Sequence, residues 1–380
     1  MNLFIIIFML LFVTTWYYGR HALNRNYLEP LKLSSKYIYL FDLSLILHLG
    51  FSIATRKFGI ESSDLQPLFF IQYLFLGAYG LFLIINLKKD LFHFLYKKSK
   101  KESFDPSRRE FFKKKLIAPG IASLTVAVGL GAKHALEPEV KTIEISLPPE
   151  NKDLSGLTIT QLSDIHIGPT LKKEFSELIT KKANELNSDI IVVTGDLIDG
   201  TPEGLAQDIA PLANLSAPLG VFYCTGNHEY YWGVDRWLDK AKSFGWIPLI
   251  NENKTIAYKD TTFAIAGAPD LKAQRFKSAH KTDVQKTMNG LDPSLYTILL
   301  AHQPKSCYEY EKSSVNLQLS GHTHGGQGFP YNILVKLVQP YLAGLYRHEN
   351  MDLYVNQGTG YWGPPYRLGI PGEITHIKLT

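Results

Sequence analysis

Cysteine is nearly missing from this chain. Only Cys224 and Cys307 occur among 380 residues, and no Cys-x-x-Cys pair is present. That excludes a disulfide framework, a thiolate zinc site and a dithiol redox centre. Cys224 lies in the apolar run VFYC, where a thiol reads as a small core residue. Internal repeats and low-complexity tracts are lacking as well. A basic surface of the kind that tracks nucleic acid is also missing. The formal net charge is +5, but Lys88 to Lys115 hold eleven Lys or Arg against four acids, an excess of seven. The rest of the chain therefore nets about minus two (5 − 7). Basicity confined to one loop is no groove-reading surface, so a nucleic-acid partner is not expected.

What is present divides near residue 135. A chain of this length predicts two regions, and the expected boundary places residues 1–135 in a membrane region and 136–380 in a globular domain. Leu3 to Tyr18, Tyr37 to Ala54 and Leu68 to Leu87 are apolar runs close to the length that crosses a bilayer. Leu116 to Ala132, rich in Gly and Ala, is a weaker fourth. Arg20, Arg25, Lys32 and Lys36 follow the first run, and the eleven basic residues follow the third. The positive-inside rule then puts both loops in the cytoplasm and the C-terminal domain outside. The expectation is a multi-pass protein of the cell membrane whose C-terminal domain is extracytoplasmic. SRREFFKK, with Arg108 and Arg109 ahead of the fourth run, resembles a twin-arginine export signal, although about three spans precede it.

From about Thr142 the pattern changes to short β-rich runs between turn residues: TIEISL, LTITQLS, DIIVVTGD, GVFYCTGN, FAIAGAP, YTILLAHQ, VNLQLSGH, DLYVNQG and EITHIKL. Helical patterns, LKKEFSELITKKANEL and VDRWLDKAKSFG, separate the early runs. Such an order predicts an α/β fold with two sheets flanked by helices.

Five strings at strand-to-loop junctions carry the chemistry: SDIHIG, TGDLIDG, TGNHEYY, AHQP and SGHTHGGQ. Asp164 and His166 stand two apart, so on an extended strand end they share a face and chelate one ion. Gly195 permits a sharp turn that pushes Asp196 out of the sheet, where two carboxylate oxygens can bridge two cations. Asn227 offers a neutral carbonyl oxygen, while the adjacent His228 need not bind metal. His322 and His324 repeat the two-apart spacing, and His302 adds an imidazole. Mixed oxygen and nitrogen donors without sulfur suit Mn, Fe or Zn. Singly, each string is an ordinary turn; all five in order, each at such a junction, argue against accident.

These residues resemble the calcineurin-like metallophosphoesterases over roughly residues 142 to 380. The resemblance implies a four-layer α-β-β-α sandwich with a dinuclear site of two divalent metal ions at the sheet ends. One metal would take Asp164, His166, Asp196 and His324, and the other Asp196, Asn227, His302 and His322. His228 looks like the family's catalytic histidine beside the leaving group, and Asp199 resembles the acid that orients it. Glu229 reads as structural. The tail NQGTGYWGPPYRLGIPGEI and GHTHGGQ resemble the membrane-attached, twin-arginine-exported bacterial branch. There Gly358 and Gly360 suggest close backbone approach, Arg367 could reach a substrate phosphate, and Asp270 could line the mouth. The expected activity is hydrolysis of a phosphate ester, monoester or diester, lipid- or envelope-linked, by a hydroxide that two metals activate. Two competitors are a UDP-2,3-diacylglucosamine pyrophosphatase-like hydrolase, which the outward topology disfavours, and an inactive membrane scaffold, which the complete ligand set disfavours.

Overall fold

Alternation within single strands determines the layering. In β3 (Ile190–Thr194), Ile190 and Val192 face one apolar cluster while Ile191 and Val193 face another. The same split separates Phe222 and Cys224 from Val221 and Tyr223 in β4 (Val221–Cys224). It recurs as Ile298 and Leu300 against Leu299 in β8 (Thr297–Leu300). Side chains of a strand point alternately to its two faces, so strands apolar on both must be covered on both.

The computed structural model describes residues 3–29, 33–34, 36–58, 66–99, 122, 125–328 and 331–380. The chain forms two units, one of Met1–Ile60 and Ile71–Leu130, the other of Glu61–Phe70 and Gly131–Thr380. The second unit holds two six-stranded mixed sheets. The first runs β1 (Glu139–Ile145), β12 (Glu373–Leu379), β2 (Thr158–Leu162), β3, β4, β5 (Ile247–Pro248). The second runs β10 (Gly344–His348), β11 (Met351–Val355), β9 (Leu317–Ser320), β8, β7 (Thr261–Gly267), β6 (Glu252–Tyr258). One cluster, with Ile159, Phe222, Phe263, Leu319 and Tyr354, fills the space between the sheets. A second cluster joins the outer face of the first sheet to Phe175 and Ile179 of the helix Lys173–Glu185 and to Trp237 of the helix Val234–Ser243. A third covers the outer face of the second sheet with Cys307 and Tyr310 of a short helix. The layers are those of an α-β-β-α sandwich. Strands β2, β3 and β4 run parallel, as do β8, β9 and β11. Parallel strands gather their carboxyl ends on one edge, where open α/β sheets carry their sites.

The transmembrane region expected before residue 136 is not supported. Helices occupy Leu3–Leu23, Lys36–Phe58 and Gln66–Ser99, where the first three apolar runs lie. Among the described residues, however, no helix is long and apolar enough to cross a membrane. Polar side chains break the apolar runs and pair with one another. Trp16 Nε1 donates to Asp42 Oδ1 at 2.9 Å, Asn26 Nδ2 to the buried Asn86 Oδ1 at 2.9 Å, and Tyr18 Oη to Asp90 Oδ2 at 2.9 Å. The fourth run, up to residue 124, and the Arg108–Arg109 pair lie outside the described residues, apart from Ala122.

Candidate metal centre

Every expected ligand sits just beyond a carboxyl-terminal strand end. Asp164 and His166 follow β2, Asp196 follows β3, and Asn227 follows β4 at the start of the short helix Asn227–Tyr231. His302 follows β8, while His322 and His324 follow β9. The strand ladders continue into these loops: Asp164 N donates to Gly195 O at 3.0 Å, His166 N to Asp196 O at 3.1 Å, and Gly321 N to His302 O at 2.9 Å. Gly195 (φ 84°) is required because a Cβ there would lie 2.4 Å from Gly226 N and 2.8 Å from His302 Nδ1. Gly358 (φ 88°) likewise leaves room for Arg367 and for His324 Nδ1, which a Cβ would approach to 2.9 Å.

The extended-strand geometry expected for the two-apart pairs is not what joins them. Asp164, His166, Asp196, His322 and His324 all have left-handed backbone, with φ of 51°, 53°, 51°, 70° and 51°. Each such residue costs on the order of 1 kcal/mol or more, and it persists only where surrounding bonds over-determine it. Glu229 supplies such bonds. Fully buried, its carboxylate accepts from Gly226 N (2.7 Å), Leu197 N (2.7 Å) and Asp196 N (3.2 Å), tying the β3 and β4 loops together. That is the structural role expected of it.

Among the described residues three groups of donor atoms result: Asp164, His166 and His324; Asp196, His302 and His322; and His166, Asp199 and His228, the last built on Asp199, which is not an expected ligand. The first two hold expected ligands alone. Asp196 Oδ2 lies between them, 3.1 Å from His302 Nε2 and 3.9 Å from His166 Nε2. Its other oxygen accepts from His228 N at 2.8 Å, which fixes the carboxylate. Within the first group, His324 Nε2 is 3.3 Å from Asp164 Oδ1 and 3.2 Å from His166 Nε2. Two nitrogens and an oxygen this close, without aligned donors for each, are the spacing of ligands awaiting a cation. Asn227 Oδ1 and His302 Nε2 are buried and lack any hydrogen-bond partner, although the latter lies within 3.1 Å of Asp196. Orphaned acceptors cost about 1–3 kcal/mol each, and a divalent cation would satisfy both. His302 Nδ1 donates to Thr194 O at 2.8 Å, which leaves Nε2 as the ring atom beside Asp196. The mixed oxygen and nitrogen donor set fits divalent metal ions.

Asp199 is shared by two rings. His166 Nδ1 lies 3.0 Å from its Oδ2, and His228 Nδ1 lies 2.5 Å from its Oδ1. Both rings therefore present Nε2 to the centre, and His228 Nε2 reaches to 3.9 Å from Asp196 Oδ2. Burial works to raise the Asp199 carboxyl, but His166 and His228 outweigh it and hold it at about 2. Burial likewise works against a charge on His228, yet Asp196 and Asp199 raise it to about 9. His322, desolvated and facing His302, falls to about 3 and is neutral.

Two expected substrate contacts are placed elsewhere. Arg367 is fully buried; its Nη1 donates to Gln357 O at 2.8 Å, its Nη2 donates to Gly360 O, and Nη2 lies 3.0 Å from His324 Nδ1. Its donors hold the loops behind His324 and do not face the opening. A cation on His324 Nε2 would require the Arg367 contact to rearrange, because Nδ1 must then carry the ring proton. Asp270 is also buried, accepting from Lys272 N (2.8 Å) and Gln303 Nε2 (2.7 Å) in a local turn beside His302. The expected mouth position is not observed.

His302 gives a test of the metal-free state. Burial alone would lower it, but Asp196, Asp164 and Asp270 together raise it well above its ordinary value. That direction favours a proton on the ring in the metal-free protein, which a cation on Nε2 would displace. Mn²⁺ binding should therefore release protons, and its affinity should rise with pH until the raised His302 value is passed. Calorimetry in two buffers of different ionisation enthalpy reads the proton count. Release of none would remove His302 from the ligand set.

The profile of the calcineurin-like phosphoesterase family matches residues 157–326. The chain is 40% identical over 244 residues to an uncharacterized metallophosphoesterase of Campylobacter jejuni, covering 64% of this chain and 63% of that protein. It is 37% identical over 276 residues to a zebrafish (Danio rerio) "transmembrane protein with metallophosphoesterase domain", covering 70% and 63%. An uncharacterized metallophosphoesterase of Aquifex aeolicus is 33% identical over 261 residues, covering 67% of this chain and 97% of its own length. The match thus spans a little under two thirds of the first two relatives and nearly all of the third.

Proposed function

Because this chain belongs to the calcineurin-like phosphoesterase family, we propose that it hydrolyses a phosphate ester with two divalent cations held on either side of Asp196. One observation carries this reading: Asp196 Oδ2 lies 3.1 Å from His302 Nε2 of one group of ligand atoms and 3.9 Å from His166 Nε2 of the other, while Asn227 Oδ1 and His302 Nε2 are buried without a hydrogen-bond partner. Such cations, when bound, supply Lewis acidity towards phosphoryl oxygens and lower the pKa of water towards neutrality. The chain's residues do the rest. Asp164, His166, Asp196 and His324 are assigned to one ion, and Asp196, Asn227, His302 and His322 to the other. Asp199 orients His166 and His228 through their Nδ1 hydrogens, leaving both Nε2 atoms at the centre. His228, raised to about 9, holds its proton at neutral pH and donates it from Nε2 to the departing oxygen. Burial of nearly every ligand excludes bulk water and strengthens each of these electrostatic contacts.

The test is direct. Protein stripped with a chelator should not hydrolyse bis-p-nitrophenyl phosphate or p-nitrophenyl phosphate, and Mn²⁺ should restore turnover of at least one. Metal-loaded protein inert towards both, and towards a wider set of phosphate esters, would defeat this reading. A catalytically dead scaffold would be expected to lack ligands, and six of the seven assigned here fall into two groups of neighbouring donor atoms.

A further inference from the structure

Exposed aromatic rings are rare in the second unit and are not scattered. Among its described residues, the aromatic side chains counted as exposed are Tyr231, Phe276, Tyr308 and Trp362. Three of these four gather at His228. The Tyr231 ring centre lies 5.1 Å from that of His228, and Trp362 lies 6.0 Å from it in an edge-on arrangement. Phe276 extends the group, 5.4 Å from Tyr231. Each is about half exposed: 48% for Tyr231, 53% for Phe276 and 52% for Trp362.

Their mounts are fixed. Trp362 N donates to Gln327 Oε1 at 2.9 Å, and Gln327 Nε2 returns a bond to Trp362 O at 2.7 Å. That reciprocal pair fastens Trp362 to the loop carrying His324. Tyr231 follows His228 on the same short helix. Phe276 stands on a segment pinned by Tyr230 Oη, 2.9 Å from His280 Nδ1. Rigid rings held open to solvent beside a reactive group are a prepared binding surface, because unpartnered apolar area of this kind is otherwise selected against.

We propose that Tyr231, Phe276 and Trp362 form a shelf for the leaving group, and that the leaving group carries a planar aromatic ring. The inference rests on the phosphoesterase reading above and deepens it. A phosphoryl group at the ligand cluster has its departing oxygen on the His228 side, so whatever that oxygen carries lies over these rings. In the hydrolysis, water adds oxygen to phosphorus, the P–O bond to the leaving group breaks, and the His228 proton goes to the departing oxygen. Flat rings stack on a planar group at little entropic cost, while a flexible chain would lose its freedom on such a surface. Lys272 and Arg275, on the Phe276 segment, are cationic and suit an anionic ester.

The test compares phenyl, 2-naphthyl and 4-octylphenyl esters, each as the phosphate monoester and as the methyl phosphate diester. The three phenols are of similar acidity, so differences report binding of the leaving group. Metal-loaded protein should favour 2-naphthyl over phenyl by about tenfold in kcat/KM, in line with ring stacking. The ratio should fall towards one in Trp362→Ala and Tyr231→Ala and be largely kept in Trp362→Phe. A ratio unchanged in both alanine variants overturns the shelf. A gain for 4-octylphenyl without one for 2-naphthyl overturns the planar assignment in favour of a chain. Binding of 2-naphthylphosphonate against phenylphosphonate, by calorimetry, reads the shelf without turnover. If no ester is hydrolysed but the naphthyl preference is present and lost in the variants, the phosphoesterase reading fails and the shelf stands. If the preference is absent there as well, both fail.

Discussion

Asp196→Asn is expected to lower kcat/KM by on the order of a thousandfold or more, about 4 kcal/mol of lost transition-state stabilisation, and to reduce bound metal. Asparagine keeps the carbonyl oxygen that accepts from His228 N, so the local turn should survive. What changes is the other position. Oδ2 becomes an amide with two hydrogens facing His302 Nε2, 3.1 Å away, and His166 Nε2, 3.9 Å away. An amide nitrogen cannot ligate, and the negative charge that balances two cations is lost. Two unit charges 4 Å apart interact by about 4 kcal/mol at the effective dielectric of partly buried pairs, larger than any one hydrogen bond here. Charge loss therefore dominates over geometry. Metal content by elemental analysis and turnover of bis-p-nitrophenyl phosphate are the readouts, with the melting temperature showing that the fold persists. Full turnover with a normal metal complement would remove Asp196 from its bridging position and take the two-cation reading with it.

How far the sequence discloses this arrangement depends on burial. Most strands visible in it are apolar on both faces, such as IIVVT and VFYC, because two covering layers require continuous apolar runs; the exposed edge strand β1 shows through the alternation of TIEISL. Three strands escape it: β5, β6 and β10. β6 reads ENKTIAY, exposed at alternate positions, and lies at the edge of its sheet beside β7 alone. β10 occupies the opposite edge, and β5 is only two residues long. Edge strands half in water carry little apolar signal. The candidate ligands are legible because residue types and order carry them, and six of the seven gather into two groups of donor atoms. The means of convergence is not, since five left-handed residues at the site are invisible to a pattern of alternation. Arg367 misled for a related reason. A guanidinium near a glycine-rich tail suggests phosphate, but backbone carbonyls that appear only in three dimensions claim its donors. The second duty of Asp199, to His166 as well as His228, also required coordinates. Its spacing of three residues after Asp196 hints at one partner and not at two. The N-terminal runs differ again, since apolar content alone does not reveal that Asp42, Asn86 and Asp90 within those helices take part in side-chain hydrogen bonds.

Separating His228 from Asp199 gives the second large effect. In His228→Ala, both metals should remain while kcat falls by about 10²- to 10⁴-fold, the range for loss of a positioned general acid. Asp199→Asn should behave differently, because that carboxylate also orients His166, assigned here as a ligand. Metal affinity should drop about 10- to 100-fold, as when an outer partner of a ligating histidine is lost, and kcat should fall as well. The pH profile assigns the proton. His228 is raised to about 9 by Asp196 and Asp199 against the pull of burial, so it is charged at neutral pH and loses its proton as pH rises. Activity should therefore decline on the alkaline side. Bound cations add positive charge nearby and move that decline below 9. The alkaline limb should vanish in His228→Ala, whose residual rate no longer depends on this proton. In the double variant, the metal-affinity defect of Asp199→Asn should persist undiminished, since it runs through His166 and needs no imidazole at 228. If the double variant binds Mn²⁺ as tightly as His228→Ala alone, Asp199 serves His228 only, and the shared carboxylate has no part in holding the cations.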